Sequence, residues 1–184
     1  LFDLGVHVLD MALWALDYPA VQTVSGQVRT LFGPQGRKLF NPTPISAFDV
    51  EDGAVGFLRL KGGISMFLEA TWAEHNIPGE DRMCVAIQGS EGTAVLDVPN
   101  YTEDDTLTYY TEMEGTPVMV KPKVKWRKRH GFTGYIDAVA EAILNDTPAP
   151  AEGTQGIITV GILEAIYESA RQGREIAFAE IVDV

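Results

Sequence analysis

Ala54-Val55-Gly56-Phe57-Leu58-Arg59-Leu60, then Lys61-Gly62-Gly63, then Ile64-Ser65-Met66-Phe67-Leu68-Glu69-Ala70-Thr71-Trp72 reads as two strands and the turn between them. Side chains of this kind favour extended backbone, and a three-residue connection bearing glycine folds the two runs into a hairpin. Met83 to Gln88 is a third strand, and Gly89-Ser90-Glu91-Gly92 is a tight turn leading into Thr93 to Val98. Thr106 to Thr111 and Val118 to Val124 are further strand candidates. Turns this short imply antiparallel neighbours, because parallel pairing needs a crossover of about a dozen residues or more.

Outward from this block the pattern becomes helical on both sides. Leu4, Val8, Leu9, Met11, Ala12, Leu13, Ala15 and Leu16 recur at helical spacing, which predicts an amphipathic helix from Asp3 to Leu16, stopped by Pro19. Almost no chain precedes it to supply an N-terminal cap. Ala20 to Thr30 alternates, with β-branched Val21, Val24 and Val28, and predicts a strand before the turn-laden Gly33-Pro34-Gln35-Gly36 and Asn41-Pro42-Thr43-Pro44. On the far side, Phe132, Ile136, Val139, Ala140, Ile143 and Leu144 mark one helix, and a second runs from about Thr154 to Gln172 after Pro148-Ala149-Pro150. Gly173 stands where a helix C-terminal glycine belongs, and Glu175 to Phe178 is a last short strand. The expectation is one α+β domain over residues 1–184: a mostly antiparallel, open-faced β-sheet with helices packed on one face.

Composition narrows the class. With 184 residues, 46% apolar and 22% charged, the chain is long enough for a sizeable core and is neither a disordered tail nor a rod. Acids outnumber bases by 26 to 14, and the net charge of −12 argues against nucleic acid and membrane surfaces, both of which call for a basic footprint. No run of about 18 apolar residues is present, so no membrane-spanning helix is expected. The lone cysteine, Cys84, has no partner for an internal disulfide or a thiolate metal site, and a cytoplasmic location is the simplest expectation. The chain opens on Leu1-Phe2-Asp3-Leu4 without an initiator methionine, as expected of a fragment.

Asp3 and His7 are four residues apart on the first predicted helix, so both side chains rise on one face about one turn apart and can address one bound molecule. Histidine suits proton transfer near neutrality, and a neighbouring carboxylate can orient it or hold a substrate hydroxyl. The same spacing also fits a helix-start carboxylate followed by a surface or half-buried histidine. Trp72 and His75, beside Glu74 at a strand end, could present an aromatic face and polar groups to a sugar ring, although packing alone also accounts for Trp72. His130 precedes a probable helix entrance and reads first as a solvated loop residue. Lys121, Lys123, Lys125 and Arg127 alternate, which on a strand gives a charged edge that deters aggregation rather than a phosphate site. No metal-ligand spacing and no G-x-S-x-G elbow occur.

Asp3-Leu4-Gly5-Val6-His7-Val8-Leu9-Asp10 resembles the D-x-G-x-H-x-x-D segment that opens the C-terminal domain of the Gfo/Idh/MocA oxidoreductases. The run from Glu51-Asp52-Gly53 to Leu60, with Gly63 and Trp72, is similar to that family's hairpin. Gly89-Ser90-Glu91-Gly92-Thr93 is similar to its G-x-x-G-T turn, and Ala165-Ile166-Tyr167-Glu168-Ser169-Ala170 with Gly173 to its final helix. These blocks stand in the family's order from near residue 3 to near residue 178. The resemblance implies a glyceraldehyde-3-phosphate dehydrogenase-like C-terminal domain that binds a sugar, polyol or related hydroxylated substrate and pairs with a second subunit through its open sheet face. It implies His7 and Asp3 as catalytic positions, the histidine exchanging the hydroxyl proton, and matches Asp10 to the family's trailing acid, which braces the helix; Asp10 and, from its place at the strand end, His75 are candidate substrate contacts. It also implies NAD or NADP, bound mainly by an N-terminal Rossmann domain. No G-x-G-x-x-G turn and no Glu-Lys-Pro segment, the carrier of the family's catalytic lysine, occurs here, so the chain by itself is expected to be inactive. Two other outcomes stay open: glycosidic-bond cleavage through transient oxidation by an NAD-dependent relative, and a non-catalytic ligand-binding or assembly module.

Overall fold

The β-hairpin that dominates the sequence forms within one residue of its expected outer ends: β2, Gly53–Leu60, pairs antiparallel with β3, Ile64–Thr71, from Gly53↔Thr71 to Leu60↔Ile64. Gly62 and Gly63 turn the chain at φ +86° and +77°, a region costly for any residue with a Cβ. The computed structural model describes residues 1–33, 49–75, 81–102, 105–123 and 131–182. Two compact units are present, one from residues 1–80 with 157–184 and the other from residues 81–156.

In the first unit, β1, Val21–Arg29, lies antiparallel on the other side of β2, and the two-residue β8, Ile176–Ala177, pairs with β1. The strand order is therefore β3-β2-β1-β8. Helix α1, Gly5–Ala15, and helix α3, Gly153–Gln172, supply the other layer of the core. Leu9 and Leu13 of α1 and Ile162, Leu163, Ala165 and Ile166 of α3 are buried with Val24, Ala54, Leu58, Leu60 and Leu68 of the sheet.

Helix α3 approaches the sheet over a pair of glycines. Gly26 of β1 and Gly56 of β2 stand opposite each other in register. A Cβ on Gly26 would lie 2.7 Å from Ile166 Cγ2 and 2.8 Å from Ile166 Cα, and one on Gly56 would lie 2.8 Å from Ile166 Cδ1. The Gly26 N–H donates to the buried Ser169 Oγ at 2.8 Å, and the Ser169 hydroxyl donates to the Arg174 carbonyl at 2.6 Å. Gly173, φ +67°, ends α3 with its N–H on the Ser169 carbonyl, in the manner of a helix C-terminal glycine.

The opposite face of this sheet carries Val55, Phe57 and Arg59 of β2 and Phe67 of β3. Phe57 and Phe67 meet at 4.9 Å between ring centres, the Arg59 guanidinium lies 5.1 Å from the Phe57 ring centre, and Phe67 is 83% exposed. Arg59 also pairs with Glu175.

The second unit holds β4, Arg82–Gly89, β5, Gly92–Pro99, β6, Leu107–Met113, and β7, Thr116–Val120, antiparallel in the order β4-β5-β6-β7, together with α2, Gly131–Asn145. Glu114 and Gly115, both at positive φ, form the two-residue turn between β6 and β7. Phe132, Ile136, Ile143 and Leu144 of α2 are exposed.

The α+β class and the antiparallel pairing hold, with the strands divided over two four-stranded sheets. Most strand ends lie one or two residues from the sequence reading, and three boundaries differ for a physical reason. Helix α1 starts at Gly5 after Leu4, which offers no side-chain cap, so Asp3 belongs to the preceding turn. The last strand shrinks to Ile176–Ala177 because the chain turns into a 3-10 helix at Phe178–Glu180. Lys121 and Lys123 are not on a strand face: β7 stops at Val120, and the two follow it without regular structure around Pro122, which has no N–H to give a ladder. Lys125, Arg127 and His130 lie outside the described residues. Among the described residues, no helix is long and apolar enough to cross a membrane.

Candidate active site

One end of the first sheet gathers most of the chemistry. Arg29, Gly53 and Thr71 are aligned across β1, β2 and β3, so the chain leaves β1, enters β2 and leaves β3 at the same level. Helix α1 begins there too. Gly5 lets its first turn settle on the end of β3, since a Cβ at that position would lie 3.3 Å from Ala70 Cβ.

Along α1 the buried residues are Gly5, Leu9, Ala12 and Leu13, while Asp3, His7, Asp10 and Trp14, spaced three or four apart, are exposed. Asp3 and His7 thus stand on the solvent side of the helix start. Neither side chain has a hydrogen-bond or ion-pair partner among the described residues. Both are available to a small molecule, the carboxylate as an acceptor and the imidazole as donor or acceptor.

Asp10 is differently employed. Its Oδ1 accepts the Tyr18 hydroxyl at 2.7 Å and the Thr159 hydroxyl at 3.1 Å, which fastens α1 both to the turn that ends it and to α3. Burial first, then the hydrogen bond to Asp10 and its charge, push the Tyr18 phenol up from 10.0 to about 12. A pKa raised in the folded state favours the neutral phenol. The stabilisation is therefore complete below pH 10 and is lost as pH rises from 10 through about 12. Asp10→Asn should lower the Tyr18 midpoint, since it removes the carboxylate charge and leaves burial in place. Phenolate absorbance, read as the difference from Tyr18→Phe, would test this, and an unmoved midpoint would contradict the bond to Asp10.

His75 lies past the end of β3, exposed, with the Phe32 ring edge-on at 5.1 Å and 76°. Trp72, just after β3, donates its indole N–H to the Glu51 carbonyl at 2.8 Å. The Glu51 side chain accepts the Tyr167 hydroxyl from α3 at 2.7 Å. Burial and then Glu51 raise the Tyr167 phenol, which also stacks on Phe2 at 5.8 Å.

Asp52 is fully buried, and its Oδ2 accepts the backbone N–H groups of Leu31, Phe32 and Gly33 at 2.6, 2.6 and 3.2 Å. The structure thus brings Asp3, His7, Trp72 and His75 to one end of one sheet, and adds Phe32, Glu51, Asp52 and Tyr167. Sequence reasoning assigned the added residues no role. The only signal was an adjacent acid pair at the mouth of a strand.

Among the described residues, no group of three His, Cys, Asp or Glu side chains is placed to hold a metal ion.

Comparison with known proteins agrees with this architecture. The chain is 25% identical over 177 residues to D-glucoside 3-dehydrogenase of Escherichia coli K12, an alignment that covers 96% of this chain and 48% of that enzyme. Among solved structures, levoglucosan dehydrogenase in complex with NADH superposes with a TM-score of 0.76 at 21% identity, over 99% of this chain and 50% of that one. The aldose-aldose oxidoreductase of Caulobacter crescentus, complexed with glycerol, gives 0.69 at 19% identity, over 95% of this chain and 46% of that one. The chain thus spans about half the length of these relatives. A family model described as "Oxidoreductase family, C-terminal alpha/beta domain" matches residues 1–178, and this chain belongs to that family, Gfo/Idh/MocA.

Proposed function

We propose that this chain is the substrate-binding and subunit-contact part of an NAD(P)-dependent oxidoreductase acting on a sugar, polyol or similar hydroxylated compound. The observation that carries the reading is the pair Asp3 and His7, exposed and unpartnered among the described residues at the sheet end where Trp72 and His75 leave β3. His7 takes the proton of the reacting hydroxyl, or returns it in the reverse direction, and must stand about 3 Å from that oxygen to do so. Asp3 orients the imidazole or holds a neighbouring hydroxyl. His75 contacts the substrate from the other side. Asp10 braces α1, and its second carboxylate oxygen is the one left for a substrate hydroxyl. The nicotinamide, which supplies the redox chemistry, is held by a domain outside this sequence. This division of labour is supported by the half-length alignment and by the lack of a pyrophosphate turn here.

The bare sheet face around Val55, Phe57 and Phe67 meets a second copy of the chain, and the exposure of Phe67 supports that pairing. A cytoplasmic setting suits the unpaired, exposed Cys84. The test uses the full-length protein, with mass measured by light scattering followed by nicotinamide-dependent turnover on a panel of sugars and polyols. A multimer that reduces the nicotinamide with at least one of them is expected. No turnover on any member, or bond cleavage without net reduction, would overturn the oxidoreductase assignment, and a monomer would overturn the pairing.

A further inference from the structure

Asp52 is tied to both strand exits that carry the Phe32 and His75 contact. Its Oδ2 gathers the N–H groups of Leu31, Phe32 and Gly33, the first residues described after β1 and Thr30. Its own carbonyl accepts the Trp72 N–H at 3.3 Å and the Thr71 hydroxyl at 2.9 Å, where the chain leaves β3 toward His75. The Thr71 Oγ1 also lies 3.1 Å from the Ala73 carbonyl. One buried residue therefore fastens the segment bearing Phe32 through its side chain and the segment bearing His75 through its backbone. The two rings meet edge-on at 5.1 Å.

A carboxylate removed from water needs strong compensation, and three N–H groups on one oxygen supply charge-assisted hydrogen bonds of the short, directional kind. Asp52 Oδ1 is equally buried and, among the described residues, has no hydrogen-bond partner. An apolar residue would fill this position without a polar atom left bare. Convergence of the turn on Oδ2, with Oδ1 unsatisfied, marks a residue whose placement of the neighbouring chain outweighs its own fit.

We infer that Asp52 is a positioning residue for substrate binding: by holding the turn at residues 31–33 beside the β3 exit, it seats Phe32 against His75 and sets where the imidazole meets the substrate. The inference deepens the proposed function and rests on it for the identity of the ligand, but not for the geometry. Asp52 touches no substrate in this account.

The experiment uses the full-length protein with histidines labelled for NMR, alongside steady-state kinetics on the best substrate of the panel. Asp52→Ala should shift the His75 ring resonances as the Phe32 ring current is lost, and should raise KM by about five- to tenfold with a smaller change in kcat, the size expected when one ligand hydrogen bond is misplaced. Asp52→Asn keeps an acceptor for the turn and should restore most of both. Phe32→Leu removes the ring and leaves the carboxylate, so it must also move the His75 resonances, which keeps the inference open to refutation if Asp52→Ala does not fold. Unmoved His75 resonances in Phe32→Leu or in folded Asp52→Ala would overturn it. So would an unchanged KM in an Asp52→Ala enzyme that turns over. If no substrate is found, the proposed function fails while the resonances still decide the role of Asp52.

Discussion

His7→Ala in the full-length protein is expected to lower kcat by about 10²- to 10⁴-fold with KM changed only a few-fold, the loss that follows removal of a general acid/base. The imidazole is placed for this task. It projects from the first turns of α1, exposed, on the side of the helix away from Leu9 and Leu13, which are buried. Because its side chain has no partner among the described residues, the substitution opens no cavity and orphans no hydrogen bond, so a folded protein is expected. Fold and chemistry thereby separate: unfolding midpoint unchanged, turnover lost. The assay is nicotinamide-dependent absorbance on an active substrate. Turnover within a factor of two of wild type would remove His7 from the reaction and with it the reading of the α1 start as the active site.

Gly26→Ala is expected to damage the fold strongly. The added carbon would lie 2.8 Å from the backbone oxygen and Cα of Ile166 as well as 2.7 Å from its Cγ2, so rotation of one side chain does not make room. Either α3 lifts from the sheet or β1 moves. Overpacking of this kind costs about 3 kcal/mol, at the upper end of the usual range, because backbone faces backbone. The bond from the Gly26 N–H to Ser169 would be strained along with it. Gly156 is the control: nothing lies within 4 Å of a Cβ there, and alanine in a helix should gain up to about 1 kcal/mol. Denaturant midpoints of the two variants should move in opposite directions, and an unchanged midpoint for Gly26→Ala would show that α3 does not rest on this pair of glycines.

Local pattern carried the reading far. The hairpin at Gly53–Thr71, the turns at Gly62, Gly63 and Gly89 to Gly92, and the end of α3 at Gly173 are all read from windows of ten residues or so, because strand alternation, turn glycines and helix ends are set by neighbours in the chain. The Asp3 and His7 pair was legible for the same reason, although Asp3 falls in the turn before α1. The basic run misled because alternation was extended through Pro122, where a ladder amide is missing.

What the amino-acid order determined alone was the antiparallel α+β class, the order of its elements and an acid and an imidazole at the start of the first helix. The tertiary structure alone decided that Gly26 faces Gly56 under Ile166, that Asp10 is held by Thr159, that Tyr167 reaches Glu51, and that buried Asp52 joins the exits of β1 and β3. The α3 partners of Asp10 and Glu51, Thr159 and Tyr167, are 149 and 116 residues away, and no periodicity spans such a gap. They meet because burying one face of the sheet beneath two helices permits few arrangements, and in the one adopted these polar groups fall within hydrogen-bonding distance.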